Sequence, residues 1–290
     1  MLKINYSKKC PICLNNQLKK VYQFDGFCVM KCHQCFNSWR TNMYDWSDIE
    51  NIYCNNDYEK HPYFSYDQQD IATLSNERFK NKNNALARVE KMIGVGKLLD
   101  VGCGAGSFLS IAKSRGWEVT GVELSPGLSR ICKSRKYDVI NSSFEDAKLP
   151  EHSFDLLTFW DVIEHVIDPI FCVKKAKKLL SPGGVAIFCT PNEDSLLSKI
   201  GLILYLGSAS YYSYPALALH PDNHTFFFSK RGFEKLIEKS EMKWMQCYSQ
   251  MAFFDHSTLA NRAQKHIIAA IERAAKLFDS CYEMVVFAKA

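Results

Sequence analysis

The sequence predicts an α/β protein: a seven-stranded, mostly parallel sheet with helices on both faces, preceded by a small cysteine-rich module. Three observations lead to this prediction. Short apolar runs alternate with segments of helical spacing from residue 97 onward. A glycine-rich turn follows the first of these runs, and two Cys-x2-Cys pairs lie within the first 40 residues. A chain of 290 residues that is 47% hydrophobic can bury the core of such a domain.

The amino-terminal module contains two Cys-x2-Cys pairs separated by eighteen residues. This spacing is typical of a four-cysteine zinc ribbon, in which each pair presents two thiolates from one tight turn. The predicted ligands are Cys10, Cys13, Cys32 and Cys35. Residues 18–24 and 27–31 can pair as a hairpin between them. Because the protein fills all four coordination positions, we expect the zinc to be structural rather than catalytic.

The stretch from Lys97 to Glu123 predicts a βαβ unit. An apolar strand ends at Val101, a helical segment follows, and a second strand over 117–122 leads to Glu123. Three glycines allow the backbone to turn sharply after the first strand and to approach a ligand closely. They are Gly102, Gly104 and Gly106. Glu123 stands where a carboxylate can accept two hydrogen bonds from a ribose diol.

The residue at position 107 distinguishes two classes of cofactor. A dinucleotide-binding turn has its last glycine there, whereas this chain has Ser107. The observed Asp-x-Gly-x-Gly-x-Gly pattern, which begins at Asp100, resembles motif I of class I S-adenosylmethionine-dependent methyltransferases. The resemblance implies a Rossmann-like fold and an enzyme that binds S-adenosylmethionine at this turn and at Glu123.

The remaining strands follow in the order expected of that fold. We predict them at 137–140, 154–159, 185–189, 244–250 and 281–289, the last two antiparallel. The resemblance also assigns the loop after the third strand to the adenine ring. Phe144 would flank the ring, and Glu145 or Asp146 would accept a hydrogen bond from its amino group; Leu124 belongs to the same site.

After the fourth strand the chain carries Asp-x-x-Glu-His-x-x-Asp-Pro, from Asp161 to Pro169. This pattern resembles the signature of ubiquinone and menaquinone O-methyltransferases. It implies that the backbone around Asp161 meets the methionine end of the cofactor. Glu164 and His165 have two open interpretations: they take part in acceptor chemistry, or they serve helix-terminus electrostatics and packing.

Residues 195–224 interrupt the alternation with an apolar, aromatic insertion. We expect it to act as a lid over the cofactor crevice, although a homodimer interface would have the same composition. His224 begins a segment that looks like the His-x-x-Phe-Phe-Ser element of the same family group. It is a candidate base, or a histidine that fixes the turn by hydrogen bonds.

These motifs divide the chain into a zinc ribbon (1–40), a helical and loop linker that contributes to the acceptor side (41–84), and a methyltransferase domain (85–290). The linker carries an aromatic cluster over 58–64 that either lines the acceptor pocket or packs the domains together. The layout is similar to small-molecule methyltransferases of bacterial sugar, polysaccharide and natural-product pathways. We expect methyl transfer assisted by His224 or His165 as general base, with Glu164 as orienting carboxylate.

Two other functions remain open for a chain with these motifs. An RNA methyltransferase could use the zinc ribbon for RNA recognition, but the ribbon is not markedly basic, and a dispersed net charge of +5 does not call for a nucleic-acid partner. A sensor that binds the cofactor without catalysis is the third. There is no secretory h-region, and the longest apolar stretch, 200–206, is too short to span a membrane. Twelve cysteines without an export signal predict a cytoplasmic protein with reduced thiols.

Overall fold

The computed structural model describes residues 8–42, 45–54, 77–211, 213–221, 223–251 and 262–290. The aromatic cluster at 58–64 of the predicted linker lies outside these residues. The strands are β1 Leu18–Gln23, β2 Cys28–Cys32, β3 Ser38–Arg40, β4 Lys97–Val101, β5 Glu118–Glu123, β6 Asp138–Asn141, β7 Phe154–Trp160, β8 Leu180–Pro191, β9 Phe226–Phe227, β10 Lys243–Gln250 and β11 Glu283–Lys289. The helices are α1 Trp46–Tyr53, α2 Glu77–Ile93, α3 Ser107–Ser114, α4 Pro126–Ser134, α5 Pro169–Leu179, α6 Leu196–Gly207, α7 Tyr214–Leu219, α8 Lys230–Lys239 and α9 Arg262–Lys276.

Seven strands form the main sheet in the order β10-β11-β8-β7-β4-β5-β6. The five strands from β8 to β6 are parallel, and β11 pairs antiparallel with both β8 and β10. The predicted seven-stranded, mostly parallel sheet is therefore confirmed. The strand order reverses between β4 and β7, so the crevice at their carboxyl ends is the expected place for a ligand.

The central strands are apolar on both faces because helices cover both sides of the sheet. Leu99 and Leu157 belong to one buried cluster, and their neighbours Leu98 and Leu156 belong to the other. All four side chains are fully buried. This double burial explains why the sequence shows continuous apolar runs rather than alternation in these strands.

The predicted zinc ribbon is joined to the rest of the chain through a second sheet, with the order β1-β2-β3-β9. The predicted hairpin is confirmed as β1 and β2, paired antiparallel. Its last strand comes from far along the chain: Trp39 of β3 pairs with Phe226 of β9, and Ser38 pairs with Phe227. The ribbon is thus completed by a strand of the main domain.

The apolar insertion forms α6 and α7, and its buried side packs on the ribbon hairpin. The hydroxyl of Tyr205 accepts a hydrogen bond from the backbone N–H of Gln23 (2.9 Å) and donates one to the Gln23 carbonyl (3.2 Å). Tyr205 and Ala216 share a buried cluster with Tyr22 and Phe24 of the hairpin. The insertion therefore attaches the ribbon to the domain, and its role as a lid stays a prediction.

The outer side of the insertion exposes apolar side chains, including Ile203, Leu206 and Tyr211. This exposure fits the predicted alternative of a homodimer interface, which also stays a prediction. None of the described helices is long and apolar enough to cross a bilayer.

Most boundaries lie within two residues of those predicted, and two differ by more. Strand β8 begins at Leu180 rather than Val185, because Leu180 pairs with Phe154 and the Ser181 hydroxyl donates to the Asp155 carboxylate at 2.7 Å. Helix α2 begins at Glu77, so it crosses the predicted boundary between linker and domain at 84/85. The division of the chain into ribbon, linker and domain remains a proposal.

Candidate functional site

The glycine turn after β4 has the backbone conformation that its sequence predicts. Gly102, Gly104 and Gly106 all adopt left-handed φ values, of 66°, 57° and 87°. The N–H of Gly102 donates to the carbonyl of Val122 at 2.8 Å, which ties the turn to the end of β5. A Cβ at position 102 would lie 2.6 Å from a methyl carbon of Val162. Both the backbone angle and the close approach therefore require glycine there.

Glu123 lies buried at the carboxyl end of β5, directly beside this turn. One carboxylate oxygen accepts the N–H of Gly104 and the other accepts the N–H of Ser125, both at 2.8 Å. Burial raises the pKa of Glu123 to about 7, and the two N–H groups oppose this rise. Each oxygen keeps a further lone pair, so the carboxylate can accept two hydroxyl donors from a ribose.

Two more acids stand at the same edge of the sheet. Asp100 at the end of β4 is buried and accepts a hydrogen bond from the Thr158 hydroxyl at 2.6 Å. Asp161, directly after β7, has a left-handed φ of 57°, and its N–H donates to the Cys189 carbonyl. Three carboxyl groups at adjacent strand ends suit a ligand that carries positive charge and hydroxyl donors, not one with a pyrophosphate.

The loop after β6 lies next to this edge, where the N–H of Ser142 donates to the Glu123 carbonyl at 3.2 Å. Phe144 is buried and packs edge-on against Phe159 at 5.4 Å between ring centroids. The Asp146 carboxylate is engaged by the Ser143 hydroxyl in a local turn (2.8 Å). Glu145 is half-buried, and burial raises its pKa. Of the two acids, only Asp146 has its carboxylate in a side-chain hydrogen bond among the described residues.

Leu124 follows Glu123 and is fixed through its backbone. Its carbonyl accepts a hydrogen bond from the Asn141 side-chain amide at 3.0 Å and a second, longer one from the Cys54 thiol at 3.7 Å. Cys54 ends helix α1, which belongs to the predicted linker. A segment from before the domain therefore reaches the predicted cofactor edge.

The three predicted catalytic side chains converge, although His224 lies far along the chain from the other two. Ligand atoms of Glu164, His165 and His224 all lie within 4.8 Å of one another. The rings of His165 and His224 meet edge-on at 4.6 Å. Nδ1 of His165 lies 2.7 Å from the carbonyl oxygen of Asn223 and so carries its proton toward it.

The electrostatics of this cluster are set by burial. Glu164 is fully buried, and burial together with the charge of Asp161 raises its pKa well above the ordinary value. Burial lowers the pKa of His165, and burial with the neighbouring histidines lowers that of His224 further. Both shifts favour the neutral form of the imidazoles.

Backbone hydrogen bonds hold the two halves of the cluster together. The carbonyl of Glu164 accepts the N–H groups of Thr225 (2.8 Å) and Phe226 (3.0 Å). The turn after β7 and the segment before β9 are thus joined directly on either side of the three side chains. This arrangement positions the side chains before any ligand binds.

Two residues near the site were not predicted. The ring of Tyr53, in α1, lies edge-on to His165 at 6.2 Å. Lys82, in α2, is buried with its ammonium group 5.4 Å from the centre of the Trp160 ring. The start of α1 has a signal in the sequence, because Asp45 and Asp48 form a reciprocal capping box. Nothing in the local sequence indicates where the helix packs.

The four predicted metal ligands also converge. The sulfurs of Cys10, Cys13, Cys32 and Cys35 lie within 4.8 Å of one another, and none of these cysteines is in a disulfide. The closest pairs, Cys10 with Cys35 and Cys13 with Cys32, are 3.5 Å apart. With zinc–sulfur bonds of about 2.3 Å, a tetrahedral ion needs sulfurs at roughly this separation.

The two cysteine turns have the same internal hydrogen bonds. The N–H of Ile12 donates to the Cys10 sulfur and that of Gln34 to the Cys32 sulfur, each at 3.4 Å. Such N–H donors stabilise thiolates, which are the form that binds zinc. The residues fit a structural zinc ion, and the assignment stays a proposal.

Comparison with known proteins agrees with this geometry. The sequence profile of a family described as "Methyltransferase domain" matches residues 63–243. A ubiquinone biosynthesis O-methyltransferase of Idiomarina loihiensis is 34% identical over 114 residues, which are 37% of this chain and 47% of that protein. The chain thus spans about half the length of the curated relatives it matches.

Solved structures share the fold. Phosphoethanolamine N-methyltransferase 2 of Haemonchus contortus, crystallised with S-adenosyl-L-methionine, superposes with a TM-score of 0.54 at 15% identity, covering 87% of this chain and 61% of that one. A SAM-dependent methyltransferase of Archaeoglobus fulgidus gives 0.50 at 18% identity, covering 79% and 100%. At such identities the likeness establishes the fold alone.

Proposed function

Because the chain belongs to the class I S-adenosylmethionine-dependent methyltransferase family, we propose that it transfers a methyl group from S-adenosylmethionine to a small-molecule acceptor. The observation that carries the proposal is the buried Glu123 carboxylate. It is held by the N–H groups of Gly104 and Ser125 at the edge of the sheet where Asp100 and Asp161 also lie.

The residues at this edge fit the cofactor. Glu123 would bind the ribose hydroxyls, the glycine turn would leave room for the ligand, and Phe144 with Glu145 would meet the adenine. When bound, S-adenosylmethionine supplies a methyl group on a positively charged sulfur, which an acceptor nucleophile displaces in line. Asp100 and Asp161 favour that positive charge at the strand ends.

The Glu164, His165 and His224 cluster is proposed for the acceptor side. It follows β7 directly, next to Asp161, where the methyl end of the cofactor is expected. With its Nδ1 proton directed at Asn223, His165 has a lone pair on Nε2 that can take a proton from an acceptor hydroxyl. Such an acceptor fits a sugar, a polysaccharide precursor or a natural-product intermediate.

The RNA alternative gains no support from the structure. The edge of β3 is occupied by β9, and the hairpin is covered by Tyr205 and Ala216 of the insertion. The ribbon thus uses these surfaces to pack against its own chain. A cytoplasmic location stays a prediction.

Calorimetric titration with S-adenosylhomocysteine, the demethylated product, tests cofactor binding. Glu123→Gln removes the charge that accepts the ribose hydroxyls and should weaken binding by roughly 10–100-fold, the value of about 1.5–3 kcal/mol for hydrogen bonds to a charged group. Glu118→Gln is the matched control, since residue 118 lies exposed at the start of the same strand. Thermal unfolding would show whether both variants fold. Equal affinity in the two variants would reject the assigned role of Glu123.

Transfer is tested with methyl-labelled S-adenosylmethionine and fractionated cell extract. We expect label in low-molecular-weight products. Label confined to RNA would reject the small-molecule acceptor, and label in no fraction would favour the sensor over the enzyme.

A further inference from the structure

We infer that Glu164, His165 and His224 form a binding site for one divalent first-row transition-metal ion, separate from the four-cysteine zinc site. One ligand atom from each of these side chains lies within 4.8 Å of the other two. Atoms at that separation can coordinate a common ion after small side-chain adjustments, because metal–nitrogen and metal–oxygen bonds are about 2.0–2.2 Å long.

Glu164 supplies the first argument for a cation. Its side chain is fully buried, and neither carboxylate oxygen has a hydrogen-bond partner among the described residues. The Thr190 hydroxyl is the side-chain donor that acts on this carboxylate, but it lies outside hydrogen-bond geometry. A buried acid with so little donor support is costly, and the usual compensations are a paired charge or a metal ion. No lysine or arginine in the described part of the chain forms an ion pair with Glu164.

The histidines supply the second argument. The Nδ1–H of His165 donates to the Asn223 carbonyl, which leaves the lone pair of Nε2 available. Metal-binding histidines commonly have such a carbonyl partner on their other nitrogen. Nδ1 of His224 is buried without a partner among the described residues.

The backbone supplies the third argument, which is preorganisation. The two ligands after β7 and the single ligand before β9 come from segments joined by the Glu164 carbonyl to the N–H groups of Thr225 and Phe226. His165 is further fixed by Asn223, the residue next to His224. Fixing all three side chains lowers the entropy cost of binding an ion.

The donor set indicates the kind of metal. Two imidazole nitrogens and one carboxylate suit zinc, iron, cobalt, nickel or manganese, whereas magnesium and calcium prefer oxygen ligands alone. Three protein ligands leave coordination positions open for oxygens of an acceptor. An ion bound by two imidazoles and one carboxylate keeps a net charge of +1, and Asp161 stands three residues before Glu164 in the same turn after β7.

A catalytic role for the bound ion rests on the proposed function, whereas the binding of the ion does not. An occupied site would use the histidines as ligands instead of as bases. The ion would then lower the pKa of an acceptor hydroxyl in their place. The acceptors that profit most are those with two neighbouring oxygens, such as a vicinal diol or a hydroxyketone.

Cobalt substitution tests the site in the full chain. Metals are removed with a chelator, and cobalt(II) is added back while its absorption and stoichiometry are measured. We expect two cobalt ions per chain: one with intense thiolate charge-transfer bands from the cysteines, and one with weak bands typical of nitrogen and oxygen ligands. Glu164→Gln and His224→Ala should each lose only the second ion.

His165→Gln is the additional variant, since His165 is only half-buried and its replacement leaves the core filled. His152→Ala is the matched control. His152 is exposed just before the amino end of β7, whereas the cluster follows its carboxyl end, so this variant should bind both ions. A single cobalt ion with thiolate bands in the wild type would overturn the inference. So would two ions bound equally by the wild type and by all folded variants of the cluster.

The outcome is separable from that of the proposed function. Binding of S-adenosylhomocysteine without a second cobalt ion would reject the metal site alone. A second cobalt ion without binding of S-adenosylhomocysteine would reject the proposed function alone.

Discussion

The cofactor edge and the acceptor cluster are built in different ways. Most of the cofactor edge comes from one continuous stretch, and the bond between Gly104 and Glu123 spans only 19 residues of sequence. The acceptor cluster depends on distant segments: His165 and Asn223 are 58 residues apart. Behind it, Asn37 of the ribbon accepts the N–H of Ser229, 192 residues away. A local motif therefore specifies one half, and long-range packing specifies the other.

The largest expected effect comes from breaking the ribbon. Cys32→Ser should abolish zinc binding and unfold the ribbon, because a structural zinc ion supplies about 10 kcal/mol or more to such modules. Since β3 and β9 then separate, methyl transfer should be lost while S-adenosylhomocysteine still binds. Metal analysis and calorimetry measure the two effects.

Cys28→Ser is the control for this experiment, because Cys28 lies in the same hairpin but outside the four-sulfur cluster. Zinc content and activity should both persist in it. If Cys32→Ser also lost cofactor binding, the cofactor edge would depend on the ribbon and on the long-range packing that positions the acceptor cluster.

Gly102→Ala should damage the cofactor edge directly. The left-handed φ and the 2.6 Å approach to Val162 together should cost roughly 2–4 kcal/mol in unfolding free energy. Urea denaturation gives the value. Gly207→Ala, where an added Cβ meets nothing within 4 Å, should be within about 0.5 kcal/mol of the wild type. Equal stability of the two variants would contradict the strained turn.

The pH dependence of folding stability distinguishes the cofactor edge from the acceptor cluster, because Glu123 belongs only to the cofactor edge. Its folded pKa of about 7 lies above the ordinary value of 4.5. The protonated carboxyl therefore stabilises the folded chain below pH 4.5. As pH rises to about 7, that contribution, roughly 3 kcal/mol, is lost.

Binding of the ribose hydroxyls depends on pH in the opposite direction to the stability contribution, because the hydroxyls donate to the ionised carboxylate. Affinity for S-adenosylhomocysteine should rise with pH through about 7, with proton release on binding below that pH. Calorimetry in buffers of different ionisation enthalpy measures the release. The same profile in Glu123→Gln would assign it to another group.

Tyr205→Phe should have the smallest effect. It removes both hydrogen bonds to the Gln23 backbone but keeps the ring in its buried cluster, at a cost of about 1 kcal/mol. Hydrogen exchange should quicken in β1 and remain unchanged in β4. Tyr211→Phe, at an almost fully exposed tyrosine, is the control. Equal exchange in the two variants would show that the hydroxyl does not hold the ribbon.

The same contrast explains what could be predicted from sequence. The cysteine pairs and the Gly102–Gly106 turn were predicted residue by residue, because spacing and backbone conformation carry their chemistry. His165 and His224 were each identified as candidates for the acceptor side from a family resemblance, but no local pattern indicates that their rings touch. Their convergence needs β9, a strand of two residues that has no periodicity to detect. The packing of Tyr53 against His165 was missed for the same reason.

The short pairing between β3 and β9 also limits how the chain can be trimmed. Phe226, Phe227 and Ala216 are buried against the ribbon side of the molecule. A shortened enzyme that starts at residue 85 would present these surfaces and an open strand edge to water, which favours aggregation. Efforts to produce a minimal catalytic fragment, or to fuse another protein at this end, should therefore leave residues 8–42 in place.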